Sequence, residues 1–436
     1  MLPFARDKEF WRLVADALLI GLAGGVIALV FVGVVGVGTN LWWPDDPDYS
    51  VGSGELWWVL VTTGAGLLVG LLRRVTQVPE KTSGALAEVQ EERVDYRTAP
   101  QMIGISAISL VGGCSLGPFD AGVRGGGAFA EWYSERRALD DTMRSINVLS
   151  GIAAGVGSLV TAPFVAVLLN LELAKARGNV FKTYIPNVVA ASVGFAIFYT
   201  TVGSSFLDLY DAGPYEFEAW HLAAAVPLGA VAAAIMFVLG IVVRATRRVV
   251  ALVHLHPAVL AGIGGLLFGL AGVMLPMTLF SGKGQLSDAI DQLASFSFGF
   301  LLAVLAVKLV TFAVSMATGF IGGPVMPSLF LGGIAGLAIH VLIPDLPLPL
   351  TLSTMLVSVP GAVVKAPFTM MALVAVTVGT GPITTAPAGI AVLTAFLLTS
   401  GLGLMGTEKA DPRVDAKDHV AFRDGTDGSH SPPAPD

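Results

Sequence analysis

The sequence predicts an all-α polytopic membrane protein built from two related halves of tilted and broken helices. Three observations carry that prediction: a shortage of charge, a long series of apolar stretches, and a pair of landmarks that recurs in the same order. Of 436 residues, 54% are hydrophobic and 13% are charged, and the mean hydropathy is +0.76. A soluble domain carries roughly a quarter charged residues, so much of this surface must face lipid or other apolar helices. The 52 glycines agree, because helices in lipid pack closely through small residues.

The apolar stretches run over 13–38, 56–72, 101–119, 146–173, 184–206, 219–243, 257–280, 296–318, 324–343, 350–378 and 384–406. A straight crossing needs roughly 20 residues, and several stretches are too long or too short for one. Gly-Pro and Ala-Pro pairs interrupt many of them. Such breaks are tolerated at membrane depth only where the freed backbone is buried in protein or lines a cavity. The expected organisation is a cytoplasmic amphipathic segment at 1–12, transmembrane halves at 13–206 and 207–406, and a disordered cytoplasmic tail at 407–436. Basic clusters at Arg73/Arg74, Arg136/Arg137/Arg144, Lys175/Arg177/Lys182 and Arg244/Arg247/Arg248 belong in the cytoplasm by the positive-inside rule. The acidic loops Asp45–Glu55 and Asp208–Glu218, which lack Lys and Arg, belong outside.

Composition also excludes. The net charge of -7 lies largely in loops and tails, and no basic arm suggests nucleic acid. The single cysteine, Cys114, permits neither an intrachain disulfide nor a Cys-based zinc site. His254 and His256 point to different sides of a helix, so no metal site is expected. No nucleophile/base pair or phosphate loop at membrane depth suggests an enzyme, and no cofactor is implied.

Ala162-Pro163-Phe164 opens one apolar stretch and Ala366-Pro367-Phe368 opens another. Upstream of each stands a Gly-Pro element: Gly117-Pro118 with Gly122 to Gly127, and Gly323-Pro324 with Pro327, Gly332, Gly333 and Gly336. Matched landmarks in the same order argue for duplicated halves, which in transporters are usually inverted and hold the substrate site where they meet. Segments 81–93, 112–128 and 317–336 each place a Gly/Ser/Pro cluster before a helix-like run. Proline suits a first helical turn. A helix start carries unpaired amides and partial positive charge, which can hold an anion without a buried Lys or Arg. Close helix packing is the alternative use of these glycines.

These elements resemble the CLC family of chloride channels and chloride/proton exchangers, over about residues 15–406. Thr82-Ser83-Gly84-Ala85-Leu86-Ala87-Glu88 is similar to a degenerate form of the family's GSGIP-x-x-E element. Gly113-Cys114-Ser115-Leu116-Gly117-Pro118 is similar to the end of its G-[KR]-E-G-P element. Gly319 to Pro327 resembles G-x-x-G-G-x-F-x-P, with Lys308 ahead of it where the family often has a basic residue. Ala162-Pro163 and Lys365-Ala366-Pro367 resemble its later N-A-P and R-A-P starts. The resemblance implies an inverted-repeat fold, a homodimer in the lipid bilayer, and a pathway for chloride or a similar small anion in each subunit. It implies that Ser83 offers a hydroxyl to the central anion, with amides of Leu116, Gly117 and Val325 supplying much of the rest. A helix cap is the alternative role for Ser83.

The departures from the family pattern are chemical. Its gating glutamate falls at Leu116 and its second proton-relay glutamate at Leu173, with Glu172 one residue earlier. Leucine neither exchanges a proton nor imitates an anion. Pro324 has no N–H to give, and the pore tyrosine has no counterpart around Ser400 to Gly406. Asp120 and Arg124, four apart on one helix, read as a self-neutralising pair; the alternatives are that Arg124 helps hold an anion or that Asp120 stands in for the gate. Glu172, near a basic cluster, reads as an interfacial carboxylate or a proton relay. Lys308 reads as a structural helix-end or interhelix charge, or as a pathway residue. The expected function is passive, channel-like anion transport. The alternatives are a proton-coupled exchanger using non-standard carboxylates and a transport-inactive protein of the same fold.

Overall fold

The computed structural model describes residues 7–44, 47–78, 84–160, 162–175, 180–203, 210–253, 255–379 and 381–400. Within them the chain forms sixteen α-helices. The first eight are α1 (Lys8–Trp42), α2 (Trp57–Val75), α3 (Ala85–Glu91), α4 (Ala99–Val111), α5 (Phe119–Arg136), α6 (Asp141–Val160), α7 (Pro163–Leu173) and α8 (Val180–Val202). The second eight are α9 (Trp220–Leu252), α10 (Pro257–Met274), α11 (Lys283–Asp291), α12 (Phe298–Ala317), α13 (Val325–Leu342), α14 (Leu348–Val364), α15 (Pro367–Thr377) and α16 (Thr385–Thr399). Eight of the helices are long and apolar enough to cross a membrane. The chain is a multi-pass integral membrane protein, and exposed Val34, Val37, Leu60, Leu252 and Leu267 on its outer helices suit a lipid face.

The two sets of eight pack in the same order. α5 lies on α6 as α13 lies on α14; α3 meets α5 as α11 meets α13; α8 meets α1 and α6 as α16 meets α9 and α14. α6 is buried from Ser145 to Val160, and α14 is buried from Pro349 to Val364, so these two helices form the inner layer of their halves.

Proline sets the breaks. The residue before a proline avoids the helical region, while proline itself fits the first helical turn. The long stretch 146–173 therefore divides into α6 and α7 at Ala162-Pro163, where Ala162 is extended. The stretch 350–378 divides into α14 and α15 at Lys365-Ala366-Pro367, with Lys365 left-handed at φ 59°. The described residues begin at Asp7, inside the expected amphipathic segment. Asp7 caps the helix by accepting from Glu9 N, and residues 8–12 are the first turns of α1. Nothing between Lys8 and Leu13 is a turn former, so the helix has no reason to stop.

Small residues bring the inner helices together. A β-carbon on Gly126 would overlap the carbonyl of Gly151, and one on Gly151 would overlap the carbonyl of Gly126. Backbone, unlike a flexible side chain, cannot move aside. Gly126→Leu is expected to destabilise the protein by about 3 kcal/mol or more. Thermal melting of the detergent-solubilised variant checks this, read beside Gly33→Ala, whose added carbon meets no atom within 4 Å.

Candidate functional site

The site is built where two helices break. After α4 the chain runs non-helically to Pro118, and after α12 it runs non-helically to Pro324. Gly117 N–H donates to the Gly323 carbonyl at 2.9 Å, and Gly323 N–H donates to the Gly117 carbonyl at 2.7 Å, an antiparallel bridge between the halves. Two serines extend it symmetrically. Ser115 N–H donates to Ser315 Oγ on α12 at 3.1 Å, and Ile321 N–H donates to Ser109 Oγ on α4 at 3.2 Å. Each serine in turn donates to its own helix, Ser315 to the Thr311 carbonyl and Ser109 to the Ile105 carbonyl. Four amides that no helix could pair are thereby satisfied across the molecular centre.

From the bridge α5 and α13 depart, each with a proline at its N-cap, Pro118 and Pro324. Their first-turn amides have no partner within their own helices. Between the two helix starts lies a cavity of about 30 Å³. Its walls are Pro118 and Phe119 from one half, Val325, Met326 and Leu329 from the other, and residues of α6, α7 and α15. Among the described lining residues, Thr369 alone has a polar side chain. The cavity surface is hydrocarbon, and the starts of α5 and α13, whose partial positive charge falls off within the first turn, stand beside it.

One ionisable cluster adjoins this cavity. Arg124, one turn after Asp120 on α5, donates through an Nη to Asp120 Oδ2 at 3.0 Å and through Nε to Glu88 Oε1 of α3 at 3.1 Å. The three side chains are 2%, 10% and 10% exposed for Arg124, Asp120 and Glu88. The pair expected from the i,i+4 spacing exists, but it is not self-contained: a second carboxylate shares the guanidinium. Glu88 escaped notice as a site residue because it stands 36 positions from Arg124, beyond any helical spacing. The usable signal was an acidic residue beside an apolar run at the end of the degenerate motif.

The remaining candidates separate. Ser83 lies outside the described residues. Leu116 is 1% exposed; its amide donates to the Cys114 carbonyl at 2.9 Å, and its side chain packs toward Gly322. The Gly117 amide is engaged by Gly323, so in this arrangement it does not face an anion. Val325 lines the cavity, and Phe119, Met326 and Thr369, which the motifs did not single out, line it with Val325. Glu172 of α7 reaches the start of α15, where its carboxylate accepts from Phe368 N at 2.8 Å, Thr369 N at 2.7 Å and the Thr369 hydroxyl. That makes Glu172 a cap across the halves, neutralising a helix terminus. Leu173, beside it, makes apolar contact with the core.

Lys308 stands in mid-helix rather than at a helix end, and it is fully buried. Its Nζ donates to the carbonyls of Thr278, Leu279 and Phe280 at 3.0, 3.1 and 2.6 Å and lies 4.8 Å from the Phe330 ring centre. It pins the 278–280 turn to α12. His256 is a helix cap for α10, accepting from Ala258 N; His254 lies outside the described residues. No group of His, Cys, Asp and Glu suited to a metal occurs among the described residues.

The family follows from the whole chain. Residues 61–400 match the family model described as voltage gated chloride channel. The chain belongs to this family. It is 28% identical over 358 residues to YfeO of Escherichia coli, covering 80% of this chain and 84% of that protein, whose name assigns it provisionally to ion transport. Its fold is similar to that of a slow cyanobacterial Cl-/H+ antiporter, with TM-score 0.77, 18% identity and coverage of 95% and 99% of the two chains. It is also similar to a CLC-type fluoride/proton antiporter, with TM-score 0.75, 18% identity and coverage of 91% and 97%. The chain carries leucine at 116 and 173.

Two substitutions test the charged contacts. Arg124→Ala strands two buried carboxylates and is expected to cost about 3–5 kcal/mol, read as a lowered melting temperature. Arg124→Lys is not expected to rescue it fully, because an ammonium lacks the planar fork that meets two carboxylates. Glu172→Ala removes a cap and is expected to cost about 1–2 kcal/mol, measured in the same melt.

Proposed function

We propose that this protein moves chloride or a related small anion passively across the bacterial plasma membrane, as a homodimer with one pathway per subunit. The observation that carries the reading is the cavity between the starts of α5 and α13, at the junction of the two halves. The starts of α5 and α13 bring partial positive charge up to this cavity, and partial charge holds an ion weakly enough to release it. Val325 and Thr369 serve as lining residues, with Ser83 a further donor from the preceding element. Leu116 supports passive flow: it stands where the family pattern has its gating glutamate, and a leucine cannot carry a proton against an anion. Leu173 removes the second relay, and its neighbour Glu172 is occupied in capping α15.

A second reading, coupled exchange through non-standard carboxylates, draws support from the buried Glu88–Arg124–Asp120 cluster and from the antiporters of similar fold. One experiment separates the two. Purified protein is reconstituted into liposomes, and anion efflux is followed with a chloride electrode while a proton-sensitive dye reports internal pH. Passive transport gives anion efflux, accelerated by valinomycin, with no stoichiometric proton movement. Proton movement in fixed ratio to the anion would replace the passive reading with exchange. Absence of flux for chloride, bromide, nitrate and fluoride would end the transport reading altogether.

Leu116→Glu tests the assigned position more sharply. A carboxylate placed there is expected to slow anion efflux at neutral pH and to make it proton-dependent. Unchanged, pH-independent efflux would mean that residue 116 does not face the pathway.

A further inference from the structure

Helix α9 outlasts the bundle it packs in. Its 33 residues span about 50 Å, against a hydrocarbon core of about 30 Å. Buried residues recur on every turn from His221 to Val243, a stretch of about 33 Å that already covers that core. From Arg244 to Leu252 the helix runs on for about 14 Å, with no buried residue among the described ones. The positive-inside rule puts this overhang in the cytoplasm.

The residues of the overhang are sorted by face. Val231, Val238, Ile241, Ala245, Val249 and Leu252 are all exposed and follow one another at steps of three, four or seven, so they form one stripe along α9. The upper part of that stripe suits the acyl chains, and the lower part continues it beyond the bundle, with Val249 60% and Leu252 79% exposed. Arg244, Arg247 and Arg248 stand at i, i+3 and i+4 and share the adjoining side.

These arginines lack counter-charges. No Asp or Glu occurs from Ala219 to Ser287, and none of the three side chains forms an ion pair or hydrogen bond among the described residues. Other cations of the same end are engaged: Arg137 meets Asp16, Arg144 meets Glu131, and Lys182 meets Asp7 and Glu9. A fourth unpaired guanidinium stands nearby. A β-carbon on Gly70 would lie 2.4 Å from the Pro257 carbonyl, so the end of α2 touches the start of α10. Arg74 is exposed one turn beyond Gly70, and the link from Leu252 to Pro257 reaches at most about 18 Å.

We infer that the overhang of α9 is a docking surface for an anionic phospholipid of the cytoplasmic leaflet. Arg244, Arg247 and Arg248, with Arg74 beside them, take the headgroup phosphate, and Val249 and Leu252 lie against the acyl chains. A guanidinium fork matches phosphate oxygens bidentately, and a cationic side next to an apolar side is the arrangement of a helix seated at a membrane surface. The continuity of the apolar stripe favours lipid over a soluble acidic partner, which would satisfy the arginines and leave Val249 and Leu252 uncovered. A zwitterionic lipid offers the same phosphate with its charge cancelled, so the surface selects by net charge. Each arginine near an anionic membrane surface contributes roughly a fivefold gain in binding. The surface lies apart from the central cavity, so the inference stands whatever ion the protein moves.

The test is native mass spectrometry of the full-length detergent-solubilised protein, offered equal amounts of phosphatidylglycerol and phosphatidylcholine. The wild type should retain phosphatidylglycerol in preference, and Arg244→Gln/Arg247→Gln/Arg248→Gln should lower that preference by tenfold or more. Lys8→Gln/Arg12→Gln/Arg136→Gln removes as many exposed cations from the α1 and α5 corner of the same end and should leave it nearly unchanged. An equal loss in both triple variants would overturn the inference, because it would show diffuse attraction instead of a site. Equal retention of the two lipids by the wild type would overturn it too. Should the α9 variant fail to fold, a photo-crosslinker in place of Leu252 decides the matter in native membranes. Cross-links to phosphatidylglycerol support the inference; cross-links to the chain's own residues 407–436 or to another protein, with none to lipid, overturn it.

Discussion

Two backbone hydrogen bonds exchanged between Gly117 and Gly323 are the constraint on which the rest of the structure depends. Water is absent at membrane depth, so a backbone that leaves its helix must find partners in protein. The segments before Pro118 and before Pro324 have left theirs, and each is the other's partner. Ser109 and Ser315 complete the exchange from the flanking helices. The approach is close: a β-carbon on Gly117 would lie 2.7 Å from Met326 Cβ, and one on Gly323 would lie 2.7 Å from Phe119 Cβ. Any larger residue at either position would push the halves apart and reopen four amides.

Because the bridge consumes the loop amides, it decides which groups remain for a ligand. Gly117 is spent on Gly323, and Leu116 is spent on Cys114. What is left are the first turns of α5 and α13, whose amides the helix itself cannot use. A site made of such partial charges inside hydrocarbon attracts an anion with modest strength. Full charges close by must then be balanced, since in an apolar surround each one acts at long range. Arg124 with its two carboxylates, Lys308 with its three carbonyls and Glu172 on the start of α15 are three different local solutions to that requirement.

The site shows where sequence reading ends. The helix breaks at Pro163 and Pro367 were legible because proline acts through its own covalent geometry and that of its neighbour. The Asp120–Arg124 contact was legible because helical spacing brings i and i+4 together. Glu88 was not, since only the packing of α3 on α5 brings it to Arg124. The partner of Glu172 was hidden for the same reason: its acceptors lie at 368 and 369, in the other half. The spent amides of Leu116 and Gly117 were also hidden, because a motif records residue types and not which way an N–H points.

By itself, the sequence determined the membrane class, the duplicated halves and the helix breaks at Pro163 and Pro367. Those properties follow from composition and from the local geometry of glycine and proline. The tertiary structure alone decided that the halves clasp through Gly117 and Gly323, that the cavity is walled by Phe119, Val325, Met326 and Thr369, and that Glu88 joins Arg124 and Asp120. Each depends on contacts between residues far apart in the chain, and no local preference encodes the distance between two helices.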